Sequence, residues 1–127
     1  MKPSIVVGIV LLASVARAED PATAFEGFCS EWMQKLEERE QANVSHIKWE
    51  SNADGVVQGL YVGYTHEHTC VTKDGTGSVP VGKISYREVR YEKRGGSIQE
   101  AEHSAPKPIE ITEVTEIFRY SKGKWVY

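Results

Sequence analysis

The chain is poor in the features that usually announce a function. It has two cysteines in 127 residues. They do not form a Cys-x-x-Cys pair, so a thioredoxin-type redox motif is absent, and without Cys-x-x-Cys-His there is no covalent haem attachment site. There is no excess of positive charge. Fifteen Lys and Arg against eighteen Asp and Glu give a formal charge of −3, which offers no attractive field to a phosphate backbone and excludes nucleic acid as an expected partner. The longest apolar run, Ile5 to Val15, is eleven residues, well short of the roughly twenty that span a bilayer. The helical zinc-protease pattern His-Glu-x-x-His is missing, because His66-Glu67-His68-Thr69-Cys70 carries cysteine at its fifth place. Gly75-Thr76-Gly77 lacks the lysine and the following helix of a phosphate cradle. No internal repeat or low-complexity tract is visible.

What is present starts at the N-terminus. Lys2, the apolar run and the small-x-small triplet Ala16-Arg17-Ala18 have the layout of a secretory signal peptide. The expected organisation is therefore a signal peptide over 1–18 and one domain over 19–127. Cutting after Ala18 leaves 109 of the 127 residues, and removing Lys2 and Arg17 moves the charge from −3 to −5. The first cysteine, Cys29, does not stand directly behind the apolar run, so a lipid-modified N-terminus is not expected. The predicted product is secreted or periplasmic, with no membrane association after cleavage. In an oxidising compartment an even pair of cysteines reads as a disulfide, Cys29 to Cys70. Closing that loop is worth about 4 kcal/mol in the chain-entropy model.

The periodicity predicts an α+β domain: one N-terminal amphipathic helix packed on a curved antiparallel sheet of about five strands. Asp20-Pro21 with a Thr23-x-x-Glu26 box marks a helix start, and Phe25, Phe28, Cys29, Trp32, Met33 and Leu36 form an apolar stripe to about Ala42. Strands are expected over Val44–Glu50, Val56–Thr72, Val81–Lys93 and Ile109–Tyr120, with a closing strand at Trp125–Tyr127. The apolar phase changes between Ile84/Tyr86 and Val89/Tyr91, which predicts a bulge or twist. The polar segment 97–108 reads as a surface loop with a short helical turn near Ile98 to Ala101.

This element order from Phe25 to Tyr127, with the closing hairpin Ile117-Phe118-Arg119-Tyr120, turn, Lys124-Trp125-Val126-Tyr127, resembles cystatin-like and NTF2-like domains. The resemblance implies a helix lying against the sheet. NTF2-like members carry additional helices ahead of the sheet. Cystatin inhibitors carry Gln-x-Val-x-Gly, which Val56-Val57-Gln58-Gly59 does not match, so protease inhibition is not implied.

Several side chains are candidates for a site. On a continuous strand His66, His68 and Cys70 would share one face, a donor set suited to zinc or copper. His66 and His68 are accordingly the metal candidates, unless Cys70 is consumed by the disulfide. Tyr64, Tyr86 and Glu113 are the candidate pocket, with Glu113 placed inward beside Ile109, Ile111 and Ile117. Glu110, Glu113 and Glu116 also face Lys83, Arg87, Arg90 and Lys93 as cross-strand ion pairs. Trp49 and Trp125 are expected in the core, and Asn43-Val44-Ser45 is a glycosylation acceptor in a eukaryotic setting.

The reading is an exported, non-enzymatic binding or interaction domain for an unidentified small molecule or protein. No cofactor is implied, and a dimer could form through a bare strand edge. The first alternative is an NTF2-like small-molecule enzyme or carrier using the concave face, with Glu113 or His66 as acid/base. The second is a periplasmic metal binder through His66 and His68.

Overall fold

A computed structural model describes residues 19–74 and 79–127, with the single positions Pro3 and Gly8. The leader and the Gly75-Thr76-Gly77 loop lie outside the described residues. Helix α1 spans Pro21–Ser45. Its N-cap is Asp20, whose carboxylate accepts the backbone N–H groups of Ala22 and Thr23 at 2.9 and 3.1 Å and the Thr23 hydroxyl at 2.9 Å. Thr23 supports the cap rather than being it, so the expected Thr-x-x-Glu box is not used. With proline at the first helical position no backbone donor is wasted there. The bonds from Thr23, backbone first and hydroxyl second, hold the Asp20 carboxyl below its usual range.

The helix runs three residues past the expected Ala42 and takes up Val44 and Ser45, so the strand predicted over Val44–Glu50 does not form. Only Glu50–Ser51, strand β1, pairs with the sheet. A tertiary clamp accompanies the extension: Asn43 Nδ2 donates to the Val62 carbonyl at 2.9 Å, and the Glu40 carboxylate accepts the Tyr64 N–H at 2.8 Å. A Cβ at Gly63 would collide with the Glu40 carboxylate, so glycine leaves the space in which that carboxylate meets the Tyr64 N–H. The Asn43 amide is thereby engaged in packing, not presented as a free acceptor.

The strands β2 (Val57–Tyr64), β3 (Thr69–Asp74) and β4 (Pro80–Gly95) come next. Helix α2 (Ile98–His103) then precedes β5 (Lys107–Ser121) and β6 (Lys124–Val126). All pairings are antiparallel. The six strands run in the order β1-β2-β4-β5-β6, with β3 also on β4. The sheet is not strongly curled. Helix α2 is capped by Ser97, and its Ala101 is fully buried.

The long strand expected over Val56–Thr72 is broken. Tyr64 opposes Glu88 and Thr69 opposes Ser85, so residues 65–68 face only Tyr86 and Arg87. Thr65 marks the break by donating its N–H to the Arg87 carbonyl at 2.9 Å and accepting the Arg87 N–H on its hydroxyl at 3.0 Å. On β4 the buried phase changes at the same level, from Gly82, Ile84 and Tyr86 to Val89. A separate register shift lies between Arg90 and Tyr91 against β5. The predicted change of face is therefore present, and the change of neighbour from β3 to β2 accompanies it.

The core joins Phe25, Cys29 and Leu36 of α1 to Ile84, Tyr86, Phe118 and Trp125. Gly82 lets the Phe25 ring lie directly on β4, because a Cβ there would strike the ring. Phe25 and Trp125 have ring centroids 4.7 Å apart, and Phe118 meets Phe28 edge-on at 4.8 Å, within the range of favourable aromatic pairs. Trp125 Nε1 donates to the Pro21 carbonyl at 2.9 Å, so the last hairpin is tied to the first turn of the helix. That hairpin turns on Lys122-Gly123, both with positive φ, the signature of a two-residue turn matched to strand twist. Two expected ion pairs form across β4 and β5, Arg87–Glu113 at 3.6 Å and Arg90–Glu110 at 3.7 Å. No helix among the described residues is long and apolar enough to cross a membrane.

Candidate functional site

Cys29 and Cys70 form a disulfide across a sequence separation of 41, with Cα atoms 6.4 Å apart. Cys29 lies on the buried face of α1, and Cys70 stands one residue into β3. His68 is the last residue of the interruption between β2 and β3. It is exposed, yet its ring nitrogen and the two sulfur atoms all lie within 4.8 Å of one another. His68 Nδ1 is 2.7 Å from the His66 carbonyl. A carbonyl can only accept, so Nδ1 carries a proton, and in the neutral ring the lone pair is on Nε2. The break thus replaces the expected strand alignment of His66, His68 and Cys70. His68 joins the sulfur atoms, whereas His66 contributes its backbone carbonyl.

Beside this cluster, α1 and residues 64–68 enclose a cleft of about 450 Å³. Met33, Glu37 and Glu40 line its helix side, and Tyr64, His66 and His68 line the other. A second cleft, of about 460 Å³, opens between α1 and β6. Phe28, Trp32, Trp125 and Tyr127 give it aromatic walls, with Glu31 and Lys35 as charged groups. Trp32 and Tyr127 have centroids 5.7 Å apart, and Lys35 Nζ is 5.9 Å from the Tyr127 ring centre, within reach of a cation–π contact.

Of the candidate pocket residues, Tyr86 and Glu113 both border an open cleft of about 360 Å³ beside the start of β3, whereas Tyr64 lines the cleft against α1. Tyr64 and Tyr86 meet edge-on in the core with centroids 6.0 Å apart. Burial first, then the Glu116 charge, push the Tyr86 hydroxyl to a higher pKa; the Trp32 indole opposes them, and Tyr64 adds a lesser upward push. The Tyr86 hydroxyl reaches Glu116 Oε1 at 3.5 Å. Glu113, expected inward, is 82% exposed at its side chain and lies beside Arg87. Its neighbour Val114 packs on the core, and alternation along the strand sends Glu113 to the opposite face. Ile109, Ile111 and Ile117 are exposed as well.

Trp49 is half-buried over Gly59, and Trp125 is in the core. The aromatic cleft escaped sequence reasoning. Its helix side was nonetheless legible, since Phe28, Trp32 and Lys35 recur at spacings of four and three on one face. Comparison with protein-family models, curated proteins and solved structures returned no match. The arrangement is consistent with a coarse NTF2-like or cystatin-like layout, one helix on an antiparallel sheet, and no family is assigned.

Proposed function

We propose that this chain is an exported, non-enzymatic binding domain that takes an apolar or aromatic ligand in the cleft between α1 and β6. The observation that carries this reading is the gathering of Phe28, Trp32, Trp125 and Tyr127 around about 460 Å³, a size that suits a small ligand or one side chain of a peptide. Aromatic walls supply dispersion and stacking with little loss of rotamer freedom, and Lys35 and Glu31 offer polar anchors at fixed places. The signal-like leader and the single cross-link support a secreted or periplasmic location.

Titration with the fluorescent anion 1-anilinonaphthalene-8-sulfonate, followed by probe emission and by tryptophan quenching, tests the cleft. Saturable one-site binding is expected, weakened about tenfold or more by Trp32→Ala or Tyr127→Ala, a loss equivalent to at least about 1.4 kcal/mol. Binding untouched by both substitutions would overturn the assignment of the cleft. A catalytic turnover abolished by changing one residue of the cleft would overturn the non-enzymatic part.

A further inference from the structure

We propose that the Cys29–Cys70 cross-link masks a zinc site completed by His68. The inference is independent of the aromatic cleft and concerns a different part of the molecule. One ring nitrogen of His68 and the Sγ atoms of Cys29 and Cys70 lie within 4.8 Å of one another. Two thiolates and one imidazole are a borderline-soft set suited to Zn²⁺ at about 2.3 Å for sulfur and about 2.0 Å for nitrogen.

The ring of His68 is held by a backbone carbonyl, as the rings of His46 and His103 also are. The Nδ1–H of His68 faces the His66 carbonyl at 2.7 Å, so in the neutral ring Nε2 is the nitrogen that carries the lone pair. Metal-binding histidines are commonly oriented by this kind of bond to a backbone carbonyl. The interruption between β2 and β3 accompanies it: on a continuous strand His68 would sit at a fixed pleat position, whereas here it lies outside the ladder just before β3.

The chemistry is a two-electron exchange. A dithiol reductant gives two electrons and two protons to the Sγ–Sγ bond, which breaks to two thiols while the reductant closes its own disulfide. Zn²⁺ then displaces both thiol protons to solvent and binds the two sulfurs and Nε2, with water in the fourth position. Tetrahedral zinc with those bond lengths needs donor separations of roughly 3.5 Å. Cα atoms 6.4 Å apart leave room for the sulfurs to part by that much through side-chain rotation. Exchange with an oxidised dithiol runs the other way: its disulfide takes up the two electrons, and two protons from solvent, the Sγ–Sγ bond re-forms, and Zn²⁺ is released.

The test uses the full domain, oxidised and reduced with a phosphine under anaerobic conditions, titrated with zinc against a chromophoric chelator. One zinc per reduced chain and none per oxidised chain is expected. His68→Ala should weaken binding by at least about tenfold, while His66→Ala, whose backbone carbonyl persists, should leave it within about twofold. Cobalt in place of zinc should give thiolate charge-transfer bands and tetrahedral d–d bands, and the latter should weaken in His68→Ala. Near-ultraviolet circular dichroism of the aromatic core reports whether the reduced chain is folded with metal bound. Zinc on the oxidised form, equal affinity in His68→Ala, no zinc on the reduced form, or binding by a chain whose core signal does not return with metal would each overturn the proposal.

Discussion

Single residues fix where this fold begins and how closely its layers approach. Asp20 is the clearest case, because three hydrogen bonds converge on one exposed carboxylate. Its folded pKa lies below the ordinary 3.8. A group depressed in this way contributes in full above its unfolded pKa and loses that contribution as pH falls through the folded value. Asp20→Asn keeps a capping oxygen without the charge. Thermal melts of the two proteins should therefore draw together as pH drops below about 4, with the wild type the more stable at neutral pH. Parallel curves across that range would show that the cap is not ionised in the way described. The carboxylate of Glu40 makes a comparable point inside the molecule, since its bond to the Tyr64 N–H exists only where Gly63 leaves space.

Among the elements, the helix stripe and the closing hairpin were legible in the sequence because each is a local pattern. Apolar spacings of three and four placed Phe25, Cys29 and Leu36 on the buried face, and Lys122-Gly123 sits between runs that alternate. The break at 65–68 was not legible. Thr65, His66, Glu67 and His68 suit an extended backbone, and their alternation continues through the gap. What interrupts the strand is the mismatch with Tyr86 and Arg87 on β4, a tertiary matter. The strand expected at Val44–Glu50 failed for a related reason: Ile47 and Trp49 alternate correctly, but Asn43 and Glu40 anchor a longer helix to β2. The disulfide was readable from the cysteine count and compartment, whereas the approach of His68 to Cys29 depends on that break. Across β4 and β5, the Arg87–Glu113 pair is exposed on both sides. A double-mutant cycle with alanine should return only about 0.2 to 1 kcal/mol, shrinking as salt is added. A coupling several times larger, insensitive to salt, would contradict this solvent-exposed geometry.

For the molecule as a whole, the cross-link ties the buried side of α1 to β3, a strand otherwise held in the sheet by β4 alone. Reducing it should lower stability to urea by about 4 kcal/mol, a large fraction of the roughly 5 to 15 kcal/mol that domains possess. Equal urea midpoints for the oxidised and reduced proteins would show that the bridge does not constrain the unfolded chain. The aromatic cluster and the Trp125-to-Pro21 bond lie on the opposite flank of the helix from residues 64–68, so the two flanks are secured by different means, one covalent and one by packing.

The final hairpin is short: β6 covers only Arg119 to Ser121 of β5. From Glu110 to Phe118 the outer border of β5 has no strand beside it among the described residues, while its inner border is fully laddered to β4. Every second peptide N–H in that stretch consequently faces water, and the intervening ones face a partner. Deuterium should enter Glu110 to Phe118 in an alternating fast-and-slow rhythm, a residue-by-residue signature of the stretch of β5 that β6 leaves uncovered.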